Sequence, residues 1–364
     1  MKNLKTTQLV KNFSNLLKNL IQIFTLCFCL LIILPESGYA RTNSYTKNVI
    51  SKESQLVLED LQKKNLNQLN LRKIVDDGEL KQIQQLYEDY LTADNEKLVK
   101  EYQVTIRNYQ IDNTDVIDIR PLKEDHPEKI IVYVHGGAFV FLSAKSSYKT
   151  SLPIARDLNI RVIAVDYKLA PEQKYTFMVQ EIEKVIHRLI EDGYISSNIA
   201  LMGDSAGGAL VVSTAYSLMN SSKQIRLGTL VLLSPWIDLA CQENSIIDNQ
   251  DTDPILRKKD YLEVAADLVV DQGYDINNFP LNPVHLKYER QFPPVLIQLG
   301  TRDILREQIE LFYDKLRQKD ITSKIDRYEG MWHVFQGSNP ELPESVIARK
   351  SIKQFINKHL KNAI

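Results

Sequence analysis

The chain has 364 residues, 44% hydrophobic and 25% charged, with a formal net charge of −1. That is room for one large α/β domain with an appendage, or two modest domains, and enough apolar residues for a sizeable core. A near-neutral chain without a broad basic face excludes nucleic acid as an expected partner.

The first forty residues differ from the rest. Lys2, Lys5, Lys11 and Lys18 precede an apolar run over 20–34 whose polar members are Gln22 and Thr25. Pro35 and Glu36 break the run, and Gly38-Tyr39-Ala40 sets small residues at the −3 and −1 positions of a cleavage site before Arg41. This is the layout of a secretory signal peptide, so the protein is expected to be exported, periplasmic or secreted. The run is shorter than the ~18–20 residues that span a bilayer, which makes an uncleaved membrane anchor over 20–34 the second reading. Cleavage removes four lysines and one glutamate, taking the net charge from −1 to −4, and with them Cys27 and Cys29. Cys241 is then the single cysteine, so stability must come from the core rather than from an internal disulfide.

Residues 41–102 are rich in Lys, Asn, Gln and Leu, without proline. Leu80, Ile83, Leu86, Tyr87 and Tyr90 recur at helical spacing, and the stretch reads as two or three amphipathic helices, either a solvated face or a lid. From 103 to 364 the pattern changes to short β-branched runs alternating with helical stretches. Strands are expected at Val104–Tyr109, Val116–Arg120, Lys129–Val134, Ile160–Asp166, Ile199–Met202, Thr229–Leu233, Pro294–Leu299 and Ser323–Tyr328. Helices are expected at Tyr148–Leu158, Met178–Asp192, Ala206–Met219, Arg306–Gln318 and Glu344–Lys361. Several strands are continuous apolar runs, as in sheets covered by helices on both faces. Asp112-Asn113 joins the first two in a hairpin. The predicted architecture is α/β, a mostly parallel, doubly wound eight-stranded sheet.

One pentapeptide raises a chemical question. Gly203-Asp204-Ser205-Ala206-Gly207 fits G-x-S-x-G between a predicted strand and a predicted helix, the context of a nucleophile elbow. A serine hydroxyl needs a base within hydrogen-bond reach, itself oriented by an acid. In such a sheet the three follow the order serine, acid, histidine. His126, His135 and His187 precede Ser205, His285 precedes the late strand, and His359 falls in the terminal amphipathic helix. His333, in Gly330-Met-Trp-His-Val-Phe335, remains as the base; its alternative is a core histidine beside Trp332. Asp303 follows the strand before it and is the expected acid, or else a cap of the following helix. Asp326 lies inside a strand, with Asp314 and Asp320 in or after a helix. His135-Gly136-Gly137 follows the third strand, where this class presents oxyanion donors; the amides of Gly136, Gly137 and Ala206 are expected in that role.

Taken together, HGGAFVF (135–141), DYKLAPE (166–172), GDSAGG (203–208) and GMWHVF (330–335) resemble the hormone-sensitive-lipase-like branch of the α/β-hydrolases, which includes bacterial esterases and arylacetamide deacetylases. SPWIDL (234–239) and PPVLIQLG (293–300) are also similar, and the resemblance covers about residues 103–360. The sequence departs from that family at Ala138, where a third glycine is usual, at Lys168, usually arginine, and around Asp303. The resemblance implies a helical cap over the site, built from 41–102 with 242–282 as a second contributor. It also implies hydrolysis of a small-molecule acyl ester of short to medium chain, with transient membrane or lipid contact left open. Neither metal nor organic cofactor is expected: there is no H-E-x-x-H, paired C-x-x-C or phosphate loop. Amide hydrolysis or deacetylation on the same fold is the nearest alternative. A non-catalytic small-molecule receptor on a hydrolase scaffold is the alternative from another class.

Overall fold

The computed structural model of the protein describes residues 50–64, 70–256, 259–279 and 281–360. The expected leader over 1–40, with its apolar run, lies outside them. Among the described residues no helix is long and apolar enough to cross a membrane.

Eight strands form one sheet: β1 (Val104–Ile111), β2 (Thr114–Pro121), β3 (Ile130–Val134), β4 (Arg161–Asp166), β5 (Ile199–Asp204), β6 (Thr229–Leu233), β7 (Val295–Gly300) and β8 (Ser323–Tyr328). Their order is β1-β2-β4-β3-β5-β6-β7-β8. β1, β2 and β4 pair antiparallel, and every pairing from β4 to β8 is parallel. The first hairpin closes on Asp112 and Asn113, both at positive φ (47° and 65°). That two-residue turn matches the right-handed twist of the flanking strands.

Every residue of β3, β5, β6 and β7 is buried, because helices cover both faces. Alternation along a strand assigns the faces: Ile130, Val132 and Val134 join one core cluster, Ile131 and Tyr133 the other. The first face carries α6 (Tyr175–Glu191), α7 (Ala206–Asn220) and α10 (Arg306–Gln318), the second α5 (Tyr148–Leu158) and α12 (Pro343–His359). Truncating a central residue such as Leu201 to alanine costs ~2–5 kcal/mol by lost transfer energy and a residual cavity. Short helices α8 (Ser245–Asp248) and α11 (Phe335–Ser338) complete the loops after β6 and β8.

Among the described residues, four helices rather than two or three precede β1: α1 (Lys52–Lys64), α2 (Leu71–Asp76), α3 (Leu80–Thr92) and α4 (Asn95–Tyr102). Local stop and start signals divide them. The Asn70 side chain accepts from the Lys73 amide to cap α2 at its start, and Gly78 takes φ 71° after its end. α1 reaches the far end of the chain, where the Ser51 and Ser54 hydroxyls donate to Glu344 at 2.9 and 2.6 Å. Its Leu58 packs in a cluster with Met331, Trp332 and Phe335. α3 lies on the loop after β3, with Gln84 Nε2 donating to the Val140 carbonyl at 2.7 Å and Tyr87 against Phe141. On its other side Phe141 stacks with Tyr261 of α9 (Lys259–Val269).

Candidate active site

Ser205 sits directly after β5 with φ 52° and ψ −122°, a strained conformation for a residue with a side chain. The surroundings enforce it. The Ser205 amide donates to Leu233 O, and its carbonyl accepts from the amides of Gly208 and Trp236, all at 2.9 Å. The tight strand-to-helix turn also needs bare backbone on both sides. A Cβ on Gly207 would lie 2.2 Å from Val134 O, and one on Gly203 would lie 2.7 Å from Gly207 O.

Asp303 and His333 arrive from the ends of β7 and β8, beyond β6 in the sheet. Asp303 follows β7 by three residues, its amide donating to Gly300 O at 3.1 Å. The His333 loop after β8 is tied to its neighbours by Arg302 N to Met331 O (2.9 Å) and Val334 N to Ser234 Oγ (3.1 Å). His333 Nε2 lies 2.9 Å from Ser205 Oγ, while Nδ1 lies 3.1 and 3.0 Å from the two Asp303 carboxylate oxygens. With the Nδ1 proton on the aspartate side, Nε2 is the lone pair facing the hydroxyl. Asp303 is fully buried, His333 is 5% exposed and Ser205 is half-buried. Burial pulls the imidazole pKa down, but the Asp303 charge and hydrogen bond, with Asp253 and Asp204, outweigh it and the net shift is upward.

Asp303 Oδ1 also accepts from the Leu305 amide at 2.9 Å, an i→i+2 bond in the turn before α10, whose N-cap, Leu305, makes no side-chain cap hydrogen bond. The other late carboxylates lie elsewhere. Asp326 accepts from Ser351 Oγ, and Glu307 from the Ser245 amide. His359 stacks on Phe355 within α12.

The loop after β3 packs closely on the elbow: a Cβ on Gly136, whose amide is expected as an oxyanion donor, would stand 2.4 Å from Asp204 Oδ2 and 3.1 Å from Ser205 Cβ. Asp204 is 7% exposed and needs donors to offset desolvation; Tyr133 Oη supplies one. Burial still pushes the Asp204 pKa up to about 6. The following residues, Gly137 and Ala138, both take positive φ (101° and 54°), and Gly137 O receives the amides of Val140 and Phe141. Ala206 opens α7, where the first amides have no intrahelical acceptor. His135 is a structural member: fully buried, stacked on Tyr167 at 4.2 Å, with Nδ1 2.8 Å from Gly136 O. Burial lowers its pKa to about 4, so the ring is neutral.

Sequence reasoning missed Ser234, Tyr133 and Asp253. The first two sit in apolar strand contexts that give no hint of polar work. Among the described residues, Asp253, Asp303 and His333 bring their side-chain donor atoms within 4.8 Å of one another. Asp303 and His333 use those atoms on each other, and Asp253 uses its own on backbone amides, an arrangement complete without a metal ion.

Comparison with known proteins agrees with this geometry. The family model described as the α/β hydrolase fold matches residues 131–337. An esterase of Acinetobacter venetianus is 29% identical over 227 residues, which cover 62% of this chain and 74% of the relative. An acetyl-hydrolase of Streptomyces hygroscopicus is 26% identical over 226 residues, covering 62% and 74%. Among solved structures, an esterase from the bacterial hormone-sensitive lipase family superposes with a TM-score of 0.74 at 25% identity, covering 86% of this chain and 100% of that one.

Proposed function

Because the chain belongs to the α/β hydrolase fold family, we propose that it hydrolyses carboxylic esters, with Ser205 as nucleophile, His333 as base and then acid, and Asp303 orienting the imidazole. One observation carries the reading: the hydroxyl, both imidazole nitrogens and a buried carboxylate lie in line at 2.9 and 3.0 Å. The esterase and acetyl-hydrolase names of the relatives support the same chemistry.

The steps follow from the geometry. Ser205 Oγ attacks the ester carbonyl as its proton passes to His333 Nε2. Asp303 stabilises the resulting imidazolium across Nδ1. Negative charge grows on the former carbonyl oxygen, and the amides of Gly136, Gly137 and Ala206 are the donors proposed for it. Loss of one such donor typically costs ~3–4 kcal/mol in the barrier. Collapse returns the Nε2 proton to the departing alcohol and leaves an acyl-serine. Water, deprotonated by the same nitrogen, then releases the acid.

Phe141 on the loop after β3 stacks on Tyr261 of α9 and meets Tyr87 of α3 at a tilt. That cluster supports helices from 41–102 and 242–282 acting as a cap that admits short to medium acyl chains. Export through a cleaved leader over 1–40 belongs to the same proposal, and N-terminal sequencing from the native host then begins at or near Arg41.

Two measurements test the enzyme reading. A fluorophosphonate probe should label the intact protein at Ser205, located by peptide mass. A p-nitrophenyl ester series from acetyl to dodecanoyl should show turnover that declines with chain length. A folded protein that neither labels nor turns over any of these esters is not a serine esterase.

A further inference from the structure

The loop that carries Asp303 is gripped from outside by a segment the reaction above does not use. Ser245, Asn249 and Asp253 are spaced four residues apart, and the backbone joins them as successive helical turns. The Asn249 amide donates to Ser245 O, and the Asp253 amide to Asn249 O, both at 3.0 Å. All three side chains therefore point the same way, onto the acid-bearing loop. Ser245 Oγ donates to Ile304 O at 2.7 Å. Asn249 Nδ2 donates to the carbonyl of Asp303 itself at 2.8 Å. Asp253 Oδ2 accepts from the Ile304 amide at 3.4 Å, while its Oδ1 accepts from the amides of Ile255 and Leu256 at 2.9 and 3.1 Å. The Asp303–Ile304 peptide, at both its carbonyl and its amide, and the carbonyl of the next peptide are thus held by these three side chains.

Asp253 does more than hold backbone. It is fully buried, and a carboxylate oxygen lies within 4.8 Å of the facing atoms of both Asp303 and His333. Burying a second acid beside the first is costly unless it has work to do. We infer that residues 245–256 clamp the acid loop and that Asp253 is a positioning residue whose carboxylate, beside that of Asp303, helps to hold the imidazolium of His333.

The inference rests on the triad reading above. Among the described residues, the charged groups acting on Asp253 and His333 include Asp303 on the acid loop and Asp204 at the end of β5, while Glu307 at the start of α10 bonds the Ser245 amide. Arg302 is turned away, its Nε donating to Gly330 O. Burial first and the Asp303 charge second raise the Asp253 pKa, while the His333 charge opposes that rise.

The test is the pH dependence of second-order fluorophosphonate labelling at Ser205, which reads nucleophile activation whether or not any ester is a good substrate. In wild type the rate rises with pH as His333 loses its proton. Removing a neighbouring negative charge makes imidazolium less favourable. In Asp253→Asn and Asp253→Ser the rising limb therefore moves to lower pH, by on the order of one unit. Asn249→Ala loosens the clamp without touching the charge, so it should slow labelling at every pH and leave the limb in place. A limb that stays put in folded Asp253 variants overturns the inference. If those variants do not fold, the wild type still decides: a limb at or below the ordinary imidazole value also overturns it. Failure of the wild type to label at all counts instead against the ester-hydrolase reading on which the inference rests.

Discussion

Asp303 meets His333 with both carboxylate oxygens nearly equidistant from Nδ1, at 3.1 and 3.0 Å, and uses one of the same oxygens to hold the Leu305 amide. One side chain thus meets the imidazole and holds the turn that leads into α10. Asp303→Asn separates the two roles, because asparagine keeps a carbonyl oxygen for Leu305 and loses the charge. We expect kcat to fall at least ~100-fold, since an uncharged partner favours the wrong imidazole tautomer. Stability should change by no more than about 1 kcal/mol, asparagine being nearly as good a cap. Stopped-assay kinetics and a melting curve on the same preparation read both; near-normal kcat would remove Asp303 from the triad.

Ser205→Ala and His333→Ala should each abolish turnover of p-nitrophenyl acetate and labelling by the probe, with circular dichroism unchanged. Alanine at 205 keeps the positive φ and loses only Oγ, so the elbow has no reason to relax. More than a few per cent of wild-type kcat in either folded variant refutes that residue's role.

The elbow itself should be intolerant. In Gly207→Ala the new methyl would stand 2.2 Å from Val134 O and 2.4 Å from His135 O, both backbone atoms of the site. Neither can step aside without moving β3 or the following loop. Forcing in an extra carbon typically costs ~1–3 kcal/mol, and more where backbone must shift. A clear drop in melting temperature together with lost labelling is expected. A stable, active variant would mean the turn is not so closely packed.

His135 gives the protein an acid-sensitive element unrelated to catalysis. Its folded pKa, about 4, lies below the 6.5 of an ordinary imidazole, because burial penalises the charged ring. The unfolded chain therefore binds the proton first as pH falls. The neutral ring's contribution is intact above about pH 6.5 and is lost progressively toward pH 4, in total roughly 3 kcal/mol. His135→Gln should be less stable at neutral pH but lose less between those limits. Urea titrations of both proteins at pH 7, 5.5 and 4.5 compare the slopes; parallel slopes would mean the ring does not titrate this way.

Local chemistry made much of this legible in the sequence. The continuous apolar runs of β3, β5 and β6 cannot be solvated and so announce a covered sheet. Helices Tyr148–Leu158 and Arg306–Gln318 appear with the bounds their periodicity suggests. His333 follows from chain order and elimination. What stayed hidden depends on chain segments meeting in space. The Asp204 carboxylate folds toward Gly136, its Oδ2 2.4 Å from where a Cβ there would stand, which no spacing rule shows. Asp253 lies in a stretch with no clear period, and its importance appears only where that stretch crosses the acid loop. The four-fold division of the N-terminal helices came from single capping and glycine positions that a hydrophobic count smooths over.

The sheet order has a kinetic consequence. Ser205 and His333 are separated by 128 residues, and Asp303 and His333 by 30, so the reacting groups meet only after β5, β6, β7 and β8 have aligned. Contacts between such distant segments form late, because the loop-closure entropy must be overcome before they reward it. During refolding from denaturant, helical circular dichroism should return first, then protection of central-strand amides from hydrogen exchange, and covalent capture at Ser205 last. The nucleophile stays unreactive through the stages when the chain is most exposed.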